Sequence, residues 1–294
     1  MNTPVSNRSR NRLHNGGFTL VELLVSVVLA LLLTGAITSV FLGSRQSFRT
    51  GEGVAQVQEQ GRFASLLVAP VVRQAGYLND PINQIDPTTI FQAPLNKFAV
   101  FGWDNSQPGA GLYANFDPTT NAYVAGTDVL AVSFMGRNAT IPVADTPLKS
   151  CMGDDITDTQ VAVNIFYIAQ PAGETTPSLY CYRSISPTAI NANAAANTSA
   201  QPLVPGVSGM QILYGIDTDP TPDGNANRYV TAAAVTDWTL VSSIQITFTI
   251  DSTDQTEIGR TDSAVTAVGV NGVNGGRIRR TFNTTIQIRN RLRS

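Results

Sequence analysis

Histidine is almost missing from this chain of 294 residues: the single copy is His14, close to the N-terminus. A Ser-His-Asp or Cys-His catalytic arrangement in the body of the protein is therefore excluded. Cysteine is nearly as scarce. Cys151 and Cys181 are the two copies, 30 residues apart with no CxxC spacing and no nearby histidine, which makes a poor zinc site. No GxxxxGK[ST] loop is present to cradle a phosphate. What remains for an enzyme is a pair of carboxylates converging from loops, as a hydrolase could use, and nothing in the spacing of the acids requires it. The chain is expected to be no enzyme and to use no cofactor.

Charge is also thin, at 14% of residues, and it is unevenly placed. Arg8, Arg10 and Arg12 precede the first acid, Glu22. From Leu23 to Leu42 the chain is almost wholly Leu, Val, Ala, Ile and Phe, interrupted only by Ser26, Thr34, Gly35, Thr38 and Ser39. About 20 helical residues at roughly 1.5 Å each match a hydrocarbon core of about 30 Å, so this run reads as a membrane span. A cleavable secretory signal has its apolar segment before the cleavage site; here the polar stretch comes first and ends in Gly16–Gly17. Arginines before the span place the N-terminus in the cytoplasm by the positive-inside rule, and the rest of the chain outside it.

The stretch "GGFTLVELLVSVVLALLL" resembles the leader and N-terminal helix of type IV prepilins and type II secretion pseudopilins: a basic leader ending in Gly, then Phe18, then Glu22 four residues on. That resemblance implies cleavage between Gly17 and Phe18 by the prepilin peptidase and N-methylation of Phe18. Glu22 then has a reason to stand at the head of an apolar run. An intramembrane acid costs about 2.5–3.5 kcal/mol and is normally paired, and the new amine of Phe18 in a neighbouring subunit is the partner expected for it. The plainer reading is a Glu in the first helical turn, reaching the headgroups and favoured there by the helix dipole.

Without the 17-residue leader, 16 basic residues stand against 21 acidic ones, a net of −5, which is no footprint for nucleic acid. Both cysteines lie in the exported part, where a Cys151–Cys181 disulfide is the default expectation. Closing that loop contributes roughly 3–4 kcal/mol on a chain-entropy estimate.

Beyond the span, a helical period continues through Phe41, Phe48 and Ala55, then Phe63, Leu66 and Leu67. Gly51, Gly53 and Gly61 weaken it, Pro70 is expected to kink or end it, and Gly76 suits a C-cap. The remainder reads as strands. "SIQITFTID" and "RIRRTFNTTIQIRN" alternate with period two; "DVLAVSFM" and "VAVNIFYIA" are apolar on both faces and read as central; "SLYCYRS" and "GMQILYGI" complete a sheet. Residues 79–96, 102–126, the tract "SPTAINANAAANTSAQP" and 251–276 read as long polar connections.

Two further groups stand out. Asp217, Asp219, Asp223 and Asn225 offer oxygen ligands around a Gly turn. Their spacing departs from the calcium loop, so a turn that folds without metal is expected. Arg277, Arg279, Arg289, Arg291 and Arg293 share strand parity, suiting either a solvated sheet face or docking onto acidic neighbours. Trp103 and Trp238 read as core or interface anchors.

"GRFASLLVAPVVRQAGY" and the closing segments from Val207 to Phe248 and Arg279 to Arg291 are similar to the PilW family of minor pilins. The resemblance implies an α+β, pilin-like fold: a long N-terminal transmembrane helix packed on an antiparallel β-sheet head. The chain then divides into leader 1–17, membrane half-helix 18–42, exported half-helix 43–78 and periplasmic head 79–294. The implied function is a minor pilin that primes type IV pilus assembly and sits near the tip. Its implied partners are other minor and major pilins, the prepilin peptidase, a large tip adhesin and the inner membrane, with the pilus at the cell surface after assembly. The alternatives are a pseudopilin of type II secretion or a competence pilus and, in another class, a membrane-anchored periplasmic binding module or carboxylate-dependent enzyme.

Overall fold

A computed structural model describes residues 19–79, 99–105, 122–137, 147–187, 197–221, 223–254, 272–274 and 276–290. The chain divides into two compact units, with the boundary between Phe48 and Arg49, inside the long helix α1 (Leu20–Gln74).

In the N-terminal unit, the apolar side chains from Leu20 to Leu42 are exposed. Its few hydroxyls are turned back onto their own helix: Ser26 Oγ donates to Glu22 O at 2.6 Å, Thr34 to Ala30 O, Thr38 to Thr34 O and Ser39 to Ala36 O, each of these three at 2.8 Å. With those groups satisfied locally, the helix surface from Leu23 to Leu42 is apolar all round, as a bilayer requires. The helix is long and apolar enough to cross a membrane.

The second unit contains the rest of α1 and the β-rich head. From Gly53 the helix buries Val57, Gly61, Ala64, Val68, Val71 and Val72, a stripe at three- and four-residue spacing. Gly61 is small for a reason: a Cβ there would run into the Phe282 ring. Pro70 was expected to kink or end the helix, but α1 continues to Gln74. Pro70 is exposed, opposite the Val68–Val71–Val72 face, so its ring meets no core, and Gln74 Nε2 donates to Pro70 O at 3.1 Å. Only four residues follow it, which limits the loss to the last turn. Gly76, at φ +72°, turns the chain out, and its amide donates to Ser133 O at 2.9 Å.

Among the described residues the head holds two five-stranded antiparallel sheets where a single sheet was expected. The first runs β1-β2-β5-β6-β7, with β1 Val100–Trp103, β2 Val129–Met135, β5 Gln160–Ala169, β6 Ser178–Pro187 and β7 Asn197–Pro205. The second runs β11-β12-β10-β8-β9, with β8 Val207–Ile216, β9 Arg228–Val230, β10 Val241–Asp251, β11 Gly272–Asn274 and β12 Arg277–Gln287. A hairpin of β3 (Leu148–Lys149) and β4 (Asp155–Ile156) stands apart. β2 and β5 are interior strands of their sheet, and every residue of β2 is buried, in keeping with their two-faced apolar sequences.

Two segments expected as connections are strands instead. Residues 197–202 form part of β7, and 272–274 form β11. Both are edge strands, where a polar sequence is stable because one rim and part of one face meet water. One core of buried residues takes in α1 and both sheets, and Tyr167, Tyr214, Phe134, Phe166 and Phe248 are among its largest fully buried side chains.

Candidate functional site

At the start of α1 the Thr19 hydroxyl accepts the Glu22 amide at 3.3 Å, and Thr19 O accepts the Leu23 amide at 3.1 Å. Thr19 is thus the N-cap and Glu22 the third helical residue, the T-x-x-E order of a capping box. That signal was legible in the sequence, and Thr19 is the residue overlooked there. Glu22 lies in the first turn with its side chain exposed, where the helix dipole favours a carboxylate and another chain's cation can reach it. Gly17 and Phe18 lie outside the described residues, so the cleavage position and its amine are not described.

Cys151 and Cys181 are joined in a disulfide, with Cα atoms 6.5 Å apart. The bond fastens the β3–β4 hairpin to β6, and a set of polar contacts shapes the turn around it. Asn164 on β5, fully buried, accepts the Cys151 amide at 2.8 Å. Ser150 Oγ donates to Asp154 at 2.7 Å, and Arg183 on β6 pairs with the same carboxylate at 2.8 Å. Lys149 pairs with Asp155, and its amide reaches Gln74 Oε1 at 3.1 Å at the end of α1. The hairpin therefore ties the helix end to the first sheet. Asn164 carried no signal in the sequence that separated it from any other strand residue.

In the 217–225 loop the structure brings three of the four candidate ligands together. Asp217, Asp219 and Asp223 each place one carboxylate oxygen within 4.8 Å of the others. Asp217 is buried and takes the amides of Gly224 at 2.6 Å and Asp219 at 3.3 Å, so the loop is wound around its carboxylate. Asn225 does not join the group as a ligand; its side-chain and backbone N–H both donate to Asp223, at 3.0 and 2.8 Å. Asn227 closes the loop by accepting the Thr218 amide at 2.7 Å. Asp219 and Asp223 face solvent, and the fold of the turn is accounted for by these bonds.

Two arginines of the stripe, Arg277 and Arg279, are engaged within the second sheet. Arg279 grips Asp251 through two bonds of 2.7 and 2.8 Å, and Arg277 donates to Ser252 O at 2.9 Å. Arg289 is exposed, and Arg291 and Arg293 lie outside the described residues. The cross-strand pairing of Asp251 with Arg279 makes this part of the stripe an internal clasp of the second sheet.

The seam between the sheets rests on two aspartates that sequence reasoning passed over. Asp128 is buried and accepts the amides of Asn105 at 2.8 Å and Ile212 at 2.7 Å, while its own amide donates to Met210 O at 2.9 Å. Asp104 accepts the amides of Ala232 at 2.8 Å and Ala233 at 2.6 Å. Beside them Trp103 meets Phe101 edge-on with centroids 4.9 Å apart, and Trp238 packs on Phe101 at 4.5 Å and Tyr214 at 4.7 Å. Both tryptophans are anchors, as expected. Burial pushes the Tyr214 phenol well above its ordinary range, with the Asp128 and Asp104 carboxylates adding to it. Burial also raises the Asp128 carboxyl, opposed by its two amide donors and reinforced by Asp104. The seam is a structural joint: its carboxylates are turned inward onto backbone amides.

Residues 12–38 match the prokaryotic N-terminal methylation motif, and residues 165–290 match type IV pilus-assembly protein W. The second match begins within β5 and takes in the whole of the second sheet. No curated protein matches the chain. A prepilin N-terminus on a head similar to the pilus-assembly protein is consistent with a PilW-like, prepilin-type protein, and the two matches together support a minor pilin related to the type IV pilus.

Proposed function

We propose that this minor pilin primes type IV pilus assembly and is incorporated near the pilus tip, with no enzymatic step of its own. The observation that carries the reading is the joining of a prepilin motif at 12–38 to a pilus-assembly head at 165–290 in one chain. The prepilin peptidase cleaves between Gly17 and Phe18, and Phe18 is methylated. The N-terminus faces the cytoplasm, consistent with Arg8, Arg10 and Arg12 ahead of the span, and the head stands in the periplasm, where Cys151 and Cys181 oxidise. Glu22 then meets the Phe18 amine of an adjoining subunit as the helices stagger. Other minor pilins, the major pilin and a large tip adhesin are the partners.

A chromosomal deletion complemented with a head-tagged copy tests this. The deletion should reduce surface pili while the major pilin persists in the membrane, and immunogold against the tag should mark pilus ends. Gold spread along the shaft, or undiminished piliation with loss of secretion of folded exoproteins, would overturn the reading in favour of a shaft subunit or a secretion pseudopilin respectively.

A further inference from the structure

The charges that bracket the span are spaced to match a bilayer. Arg45 folds back one turn, as helical side chains lean toward the N-terminus, and its guanidinium carbon lies 4.3 Å from the centroid of the Phe41 ring. The cation is thus roughly level with residue 41, about 28 Å along the axis from the Cα of Glu22. The Glu22 side chain leans in the same direction, toward the N-terminus, which at this end of the helix carries it out of the span. The separation of the two charges is then close to the hydrocarbon thickness of about 30 Å. When one charge sits at a membrane surface, the other sits at the opposite surface.

Phe41, Arg45 and Phe48 fall on one helix face at i, i+4 and i+7, and the two rings are 53% and 72% exposed. The arginine stands between two exposed apolar rings at the end of the apolar run, where its stem and ring contact can lie against lipid while the cation reaches the headgroups. Its five N–H donors in a planar fork suit a phosphate oxygen pair. Glu22 meanwhile lies in the capped first turn.

We propose that Arg45, stacked on Phe41 and followed by Phe48, binds a phospholipid phosphate at the C-terminal end of the span, and that this contact together with Glu22 fixes the depth of the helix in the bilayer. The inference requires only that the helix spans a membrane and does not depend on the place of the subunit in a pilus. In the lone subunit Glu22 then sits at the membrane surface, and moves into an apolar environment only when the helix leaves this register.

The test places a nitroxide at Ser47 or at Ser26, both exposed, in the full chain reconstituted into vesicles of phosphatidylglycerol and phosphatidylcholine. The native cysteines are already joined and do not take the label. Depth is read from collisions with oxygen and a nickel chelate. Arg45→Leu should let both labels slide together toward the N-terminal side by about half a turn or more, roughly 3 Å, whereas Arg45→Lys should hold the wild-type depth. Wild type in phosphate-free galactolipid vesicles should sit where Arg45→Leu does. Unmoved labels in Arg45→Leu, or an equal slide in Arg45→Lys, would overturn the charge as the anchor. An unchanged wild-type depth in galactolipid would overturn phosphate as its ligand.

Discussion

Valine and leucine do opposite things in the two units of this molecule. In the N-terminal unit Val27 is 48% and Leu20 77% exposed, while Val57 and Val68 in the second unit are 1% and 0% exposed. The helix is one element, so propensity does not separate the two behaviours. What separates them is the presence of a second layer: α1 beyond Gly53 has two sheets to pack on, whereas the described side chains from Leu20 to Leu42 are exposed and offer a surface for lipid or for other helices. The comparison teaches that the same residue types stabilise the head from within and serve the N-terminal unit only from outside. Substitutions that act in one unit should therefore be silent in the other.

The largest separation is expected at Glu22. Glu22→Ala should be cleaved and inserted like the wild type, with an intact mass starting at Phe18, because the peptidase meets Gly17 before any neighbouring subunit is present. It should then lose co-purification with other pilins and fail to restore piliation. The head should unfold as in the wild type. Undiminished association with normal piliation would leave the carboxylate with a capping role alone.

The disulfide is the converse case, confined to the head. Replacing Cys151 and Cys181 with Ser should lower head stability by roughly 3–4 kcal/mol on the chain-entropy estimate. Trp103 and Trp238, the two tryptophans of the chain, both lie in the head, so denaturant unfolding followed by their fluorescence reads that unit separately. Membrane insertion should not change. An unshifted midpoint would mean that Asn164, Arg183 and the hairpin contacts hold the turn without the bond.

How much of this was legible in the sequence follows the same division. The N-terminal unit is defined by composition and length, which need no knowledge of neighbours, and Phe18 and Glu22 stand at fixed spacing from Gly17. Strict alternation made β10 and β12 legible, and two-faced apolarity did the same for β2 and β5. Polar edge strands were not legible, because β7 and β11 owe their form to the strand beside them more than to their own residues. For a related reason Pro70 does not end the helix: it faces solvent four residues before Gln74, where the last turn has few intrahelical bonds to lose. Asp104 and Asp128 lie at the ends of short apolar strands and carry no local motif. Their roles arise from amides at Ala232, Ala233 and Ile212, more than 80 residues away in the chain.

Two glycines of the same helix bring the comparison to a single methyl group. At Gly61 an added Cβ meets the Phe282 ring, and at Gly35 it meets no atom within 4 Å. Gly61→Ala should destabilise the head by about 1–3 kcal/mol, the range for overpacking. Gly35→Ala should leave the tryptophan midpoint unchanged while favouring the helix by up to about 1 kcal/mol. Equal shifts for the two variants would show that the units do not behave independently.

The smallest effect is a pH dependence that belongs to the head alone. Burial, the first cause, raises the Asp128 carboxyl above its ordinary value, and the Asp104 carboxylate adds to the shift. A raised folded pKa means that the native state holds this proton more tightly than the unfolded chain does. Its contribution therefore favours the fold fully below the unfolded value, near 3.9, and is lost as pH rises through the folded value. Most carboxylates act with the opposite sign, so the wild-type curve alone will not show it; the difference between wild type and Asp128→Asn will. Asn keeps the shape but turns one N–H donor toward an amide of Asn105 or Ile212, a cost of about 1–3 kcal/mol at any pH. On top of that constant offset, the stability of wild type minus variant should decline as pH is raised from about 4 through the raised folded value. Asp104→Asn should flatten the decline by removing the neighbouring charge, and neither change should alter the depth of the helix in vesicles. A difference that instead grows with pH would mean that the two amide donors outweigh burial, and that the seam prefers the ionised carboxylate.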